Sequence, residues 1–256
     1  MAALNPPTES RLSKRISLRW LPEPAFETTD TIVMSVKGWY VDLRVDKESG
    51  DIDWAIAGQR VVDRDEPSRV RFTHEIDSRD SFDAVDCGDF RPLSIGVDVE
   101  FGSMPRPDLP GSPVTEYEEV WEALKFREGP EGPGMGVSWV VESKCDVQIG
   151  EGEEVEIMRT FAARVWGTYL VLRQRQVLAR LPGSDAVVVK NGMRVSARRE
   201  EWDSSAGWVV KYVLGPDGGS LFSAKDIEVK ELGQMPGGTV VIRGEVYTVR
   251  SYEAIA

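Results

Sequence analysis

The chain has one histidine, His74. Any Ser-His-Asp or Cys-His relay would have to run through it, and a histidine-based metal site would have a single imidazole to use. It stands in a strand-like stretch from Val70 to Ile76, which gives it a structural place. Asp83, Asp86 and Asp89 crowd around Cys87 and Gly88, but their spacing is not that of a calcium loop, and they read as a solvated acidic turn. Glu151, Glu153, Glu154 and Glu156 read as a charged connection ahead of a strand. With 43 acidic residues in the chain, carboxylate pairs of the glycosidase kind carry no information. Gly132, Gly134 and Gly136 are interrupted by Pro133, follow no strand and open no helix, so neither a dinucleotide fingerprint nor a phosphate loop is present. These residues assemble no catalytic constellation, and the expectation is a non-enzymatic protein with no cofactor and no metal.

Two other sets of residues suit binding. Eight tryptophans suggest aromatic barrel cores. Some could instead line an apolar cavity for a small ligand, with Trp39, Tyr40 and Trp54 as candidates. Between Arg159 and Arg199 the only acidic residue is Asp185, among nine basic ones. That stretch is either a solvated barrel face or a docking surface for an acidic or phosphorylated partner, for which Arg173, Arg175, Arg194, Arg198 and Arg199 are the candidates. A net charge of −12 argues against general nucleic-acid binding. No apolar run approaches the roughly 20 residues that span a bilayer, so no membrane insertion is expected and the protein reads as soluble and intracellular. Cys87 and Cys145 read as reduced thiols.

The elements that must position these residues are organised around a repeat. Gly38-Trp39-Tyr40-Val41-Asp42-Leu43-Arg44 is echoed by Gly167-Thr168-Tyr169-Leu170-Val171-Leu172-Arg173, both reading Gly-x-Tyr-x-x-Leu-Arg. Each glycine permits a bend, and the residues after it suit a strand. In the first half strands are expected over Ile16–Trp20, Thr31–Lys37, Tyr40–Val45, around Trp54–Gly58, Val70–Ile76 and Ile95–Phe101. The second half reads as strands over Val137–Val141, Cys145–Ile149, Val155–Phe161, Thr168–Val177, Met193–Glu201, Gly207–Leu214 and Thr239–Tyr252, the last turning at Arg243-Gly244. Thr115 with Glu118 fits a capping box and opens the one short helix, with Tyr117, Val120, Trp121 and Leu124 on one face. Its tail also fits a strand. The Gly- and Pro-rich stretch 129–136 marks a boundary. The expected fold is all-β: two tandem lipocalin-like antiparallel β-barrels with one short helix, an N-terminal β-barrel domain at 12–128 and a C-terminal one at 137–256.

Gly38 to Arg44, the segment Asp53-Trp54-Ala55-Ile56-Ala57-Gly58, Tyr117 to Trp121 and the hairpin from Gly237 to Tyr252 together resemble the fungal family of casein kinase I-interacting proteins, the Hrr-interacting proteins. The resemblance implies two lipocalin-like barrels and a cytoplasmic and nuclear location. It also implies association with casein kinase I and with the translocation machinery of the endoplasmic reticulum. It brings no catalytic motif. The resulting expectation is a protein-interaction module that binds casein kinase I, the alternative being a small apolar ligand held in a lipocalin-like barrel interior.

Overall fold

The structure, a computed structural model, describes residues 9–143, 147–228, 232 and 236–255. The first half supplies nine strands: β1 (Ser10–Trp20), β2 (Thr29–Val36), β3 (Trp39–Asp46), β4 (Ile52–Val62), β5 (Arg69–Phe72), β6 (Ile76–Asp77), β7 (Asp86–Ser94), β8 (Val97–Pro105) and β9 (Val114–Ala123). The second supplies β10 (Gly136–Ser143), β11 (Glu154–Val165), β12 (Thr168–Arg180), β13 (Val187–Gly192), β14 (Ser196–Asp203), β15 (Gly207–Leu214), β16 (Thr239–Ile242) and β17 (Glu245–Ile255). The segment opened by Thr115 is strand β9. Tyr117 and Trp121 share a strand face as readily as a helical one, and Glu118 pairs with Arg19 on the neighbouring β1 rather than closing a cap. Among the described residues the 3₁₀ turns with both ends described are Gly218–Ser220 and Ala224–Asp226, and no α-helix occurs. Cys145 lies outside the described residues, and Val147–Ile149 forms no strand.

The repeat is visible in the ladders. In both halves the echoed segment is the second arm of a hairpin, β2–β3 and β11–β12, each closed by two residues. Lys37-Gly38 makes a turn with φ of 48° and 83°, which glycine adopts without strain. Gly167 has another reason: a Cβ there would meet the Glu128 carbonyl oxygen at 2.1 Å. The strand order β5-β4-β3-β2-β1-β9-β8 recurs as β15-β14-β12-β11-β10-β17-β16. The halves then diverge. In the first, β7 pairs with both β5 and β8 and closes an eight-stranded antiparallel barrel. In the second, no described strand joins β15 to β16, so the sheet stays open, unlike the expected second barrel. The connection between them folds inward instead. It buries Leu221, Phe222, Ala224, Ile227 and Leu232 against Trp139 and Tyr169, so the concave face is covered by an apolar core.

The two sheets meet back to back. Val41, Leu43 and Val45 on the outer face of β3 join Phe161, Ala163 and Val165 of β11 and Leu170 and Leu172 of β12 in one apolar core. Each such buried Val, Leu or Phe side chain contributes about 1.5–3 kcal/mol. Polar clasps fix the register of the two sheets: the Gln174 side-chain amide donates to the Asp77 carbonyl at 2.7 Å and accepts from the Asp77 N–H at 3.2 Å, and Gln176 donates to the Glu75 carbonyl at 2.8 Å. Strand side chains alternate, so claiming the apolar face of β3 for this interface turns Tyr40, Asp42 and Arg44 into the barrel. The barrel interior is therefore amphipathic rather than oily.

Candidate functional site

The closed barrel holds a cavity of about 490 Å³. Its apolar wall includes Val33 of β2, Ile56 of β4 and Phe72 of β5, while Tyr40 and Trp54 add aromatic surface. These last two are ligand-lining candidates from the sequence. Trp39, the third, lies on the opposite face of β3. It stacks on Phe161 at 6.1 Å in the interface between the sheets, because the residue before Tyr40 must face the other way.

One end of the cavity is floored by charge. The Arg44 guanidinium donates from Nε and Nη2 to Asp42 Oδ2, at 3.1 and 3.0 Å, and from Nη1 to Glu119 Oε1 at 3.1 Å. It lies 4.8 Å from the Trp54 ring centre and 5.6 Å from that of Trp121. Arg15 donates to the same Glu119 oxygen at 2.5 Å and to Glu27 at 2.7 Å. Burial disfavours the Arg44 charge, but Asp42 and Glu119 outweigh it and push its pKa up. Glu100 of β8 faces the cavity beside this network. It accepts from the Tyr117 hydroxyl and from Trp121 Nε1, both at 2.9 Å. Burial, with the nearby charges of Glu119 and Asp86, pushes its carboxyl up to about 8, so it carries its proton at neutral pH.

His74 lies behind the wall, not in the cavity. Its Nδ1 is 2.7 Å from Asp77 and its Nε2 3.0 Å from Asp86. Burial opposes its charge, but these two carboxylates prevail and raise its pKa to about 9. Asp77 also accepts from Trp54 Nε1 at 2.9 Å, so the histidine cluster sets the pose of a lining tryptophan. The acidic turn is dispersed: Asp86 faces His74, and Asp89 faces Arg69 at 3.8 Å. Among the described residues no group of three His, Cys, Asp or Glu side chains is placed to hold a metal ion, and no helix is long and apolar enough to cross a membrane.

Four of the five arginines singled out for docking have carboxylate partners. Arg173 is half-buried and paired with Glu245 at 3.1 Å, and the exposed Arg175 pairs with Glu156 at 2.8 Å. Arg194 is exposed ahead of β14. Arg198 and Arg199 point to opposite faces of β14: Arg198 binds Glu200 at 2.6 Å, while Arg199 turns toward the first half and reaches Asp30 at 3.3 Å. The register places Arg173, Arg175 and Arg198 on one face of the β12–β14 pair, where each is matched by a carboxylate, and Arg199 on the other. The residues that dominate the cavity floor, Asp42, Arg44, Glu100 and Glu119, are absent from the candidates drawn from sequence. The signal available was Arg44 itself, the last residue of the repeated motif.

The whole fold is similar to that in the crystal structure of uncharacterized protein YLR301w from Saccharomyces cerevisiae, with a TM-score of 0.65 at 14% identity, covering 96% of this chain and 99% of that one. No curated protein matches the chain. Residues 11–232 match the family described as Protein HRI1, a span that runs from the first barrel strand to the last buried residue of the inward-folded connection. The chain belongs to the HRI1 protein family.

Proposed function

We propose that this HRI1 protein is a non-enzymatic binding protein that holds a small amphipathic molecule inside its N-terminal barrel. The C-terminal sheet is the rigid support against which that barrel is built. The observation that carries this reading is the contrast between two related halves: one closes with a cavity of about 490 Å³, within the range of drug-sized ligand sites, and the other folds a connection into the equivalent space. A cavity lined by Val33, Ile56 and Phe72, with polar groups converging at one end, fixes orientation as well as affinity.

Docking on casein kinase I, on the translocation machinery of the endoplasmic reticulum, or in the cytoplasm and nucleus generally, remains a proposal that the family resemblance motivates. Surface docking through Arg173, Arg175, Arg194, Arg198 and Arg199 has less geometric support than the cavity, since four of the five already face carboxylates. A bound ligand and a docked partner are compatible, because they use different surfaces.

The test is a fluorescence titration with the neutral apolar dye N-phenyl-1-naphthylamine. The wild-type chain should bind one equivalent saturably, and Val33→Trp, which places an indole in the cavity, should abolish binding without unfolding the protein. Non-saturable binding, or binding unchanged in Val33→Trp, would defeat the reading.

A further inference from the structure

The cavity lining holds cationic charge that the protein leaves uncompensated. Among the described residues, each buried or half-buried arginine has a carboxylate within 4.0 Å, with the exception of Arg60. Arg60 stands on β4 where the barrel opens, its backbone N–H donating to the Gly38 carbonyl at 2.7 Å. Its guanidinium lies 5.8 Å from the centre of the Phe90 ring. The cation near it is Arg11, at the start of β1, also without a carboxylate partner and also lining the cavity. Burial and Arg11 both disfavour the charge on Arg60, against weaker support from Glu100 and Asp98. Asp98 is exposed at the rim, and Glu100 is neutral and engaged with Tyr117 and Trp121. In a chain of net charge −12 that pairs its other partly buried arginines, two unpaired cations at one opening are a ready anion site.

Below Arg60 the wall turns apolar. Ile56 lies four residues deeper on the same strand, and four residues of extended chain span about 13 Å, the length of an alkyl chain of about ten carbons. Beyond it the floor is an ion-paired network in which Arg44 is held by Asp42 and Glu119, so it offers no free cation to an anion, and an acid's head group belongs at the opening with its apolar chain in the middle of the barrel. We infer that the ligand is a single-chain amphipathic organic acid, its anionic head held by Arg60 and Arg11 at the mouth and its apolar chain lying along Val33, Ile56 and Phe72. This rests on the ligand-binding reading above and names the class of molecule.

The experiment is isothermal titration calorimetry of the full chain with three probes of equal length: decanoate, 1-decanol and decyltrimethylammonium. Decanoate should bind at least about tenfold more tightly than decanol, and the ammonium compound more weakly still. Arg60→Gln should remove most of the advantage of decanoate and leave decanol within about twofold of wild type, while Arg60→Lys, a point charge in place of a planar fork, should restore part of it. Because Arg60 makes no ion pair, these variants should keep the wild-type melting temperature. Equal affinities for decanoate and decanol, or a preference for decanoate that survives in Arg60→Gln, would overturn the assignment of an acid while leaving the cavity as a ligand site. A preference for decyltrimethylammonium would reverse the sign of the head group. Absence of binding by all three would overturn both the class and the ligand-binding reading.

Discussion

Tyr40 and Tyr169 occupy the same position in the repeated Gly-x-Tyr-x-x-Leu-Arg segment and make the same bond: each donates its hydroxyl to a backbone carbonyl 3.0 Å away, Tyr40 to Thr73 and Tyr169 to Phe222. The acceptors belong to different kinds of structure. Thr73 lies beside the barrel wall, between β5 and β6, and leaves the space in front of Tyr40 open; Phe222 lies in the connection that fills the second half. One bond thus serves an empty interior in one half and a filled one in the other.

That difference has a mutational signature. Phe222→Ala should destabilise the protein by about 3–5 kcal/mol, because it removes a fully buried ring from an apolar core. The cavity-filling Val33→Trp should change stability by less than about 1 kcal/mol, since its indole enters existing space rather than overpacking a core. Equilibrium urea unfolding of both variants checks the pair.

Glu119 holds Arg15 and Arg44 together inside the barrel. Glu119→Ala should cost on the order of 3–5 kcal/mol, because it leaves two buried guanidinium groups undercompensated. Glu119→Gln, which keeps the shape and loses the charge, should fall between Ala and wild type. The same urea titrations read this ranking.

The His74 cluster predicts a loss of stability in alkali. Its folded pKa of about 9 lies above the ordinary value of 6.5, so the native state binds the extra proton. The contribution is complete below about pH 6.5 and disappears as pH rises through about 9, with a magnitude on the order of 3 kcal/mol. Unfolding free energies measured from pH 6 to 10 should fall through that window in wild type, and His74→Gln should lack this component.

Glu100 acts in the same direction at lower pH. A buried carboxyl raised from 4.5 to about 8 keeps its proton when folded and loses it when unfolded, so stability declines as pH rises between those values. Glu100→Gln, a permanently neutral group of the same shape, should be less pH-dependent than wild type from pH 5 to 8. Its relative stability should grow toward pH 8, by on the order of 3–4 kcal/mol. Parallel pH profiles for the two proteins would assign the proton elsewhere.

Much of the strand framework is legible in the sequence. Alternation through β2, β3, β8 and β17, and the turn at Arg243-Gly244, announce those elements directly. β9 is harder, because Tyr117 and Trp121 are four apart and fit either period until Glu118 is seen opposite Arg19. β7 contains Pro92 and lacks alternation, and β13 is a short run without a polar face. The closure of one sheet and not the other depends on whether a late segment pairs as a strand or folds inward, which no local pattern encodes.

The cavity is legible only in its aromatic part. Tyr40 and Trp54 draw attention as large rings on strands, whereas Asp42, Arg44, Glu100 and Glu119 look like residues bound for solvent, where charged strand positions normally face. Their true setting follows from a long-range event: the second sheet covers Val41, Leu43 and Val45, so the polar face of β3 turns inward. Arg60 is equally ordinary in sequence, and its lack of a partner is visible only after every other partly buried arginine is seen to have one.

The most direct measurement is a crystal structure of the protein grown with N-phenyl-1-naphthylamine. Electron density for one dye molecule is expected between Val33, Ile56 and Phe72, with the interior of the second half unchanged around Phe222. Dye bound on the outer surface, or lodged in the second half after displacement of the inward-folded connection, would contradict the ligand-binding reading.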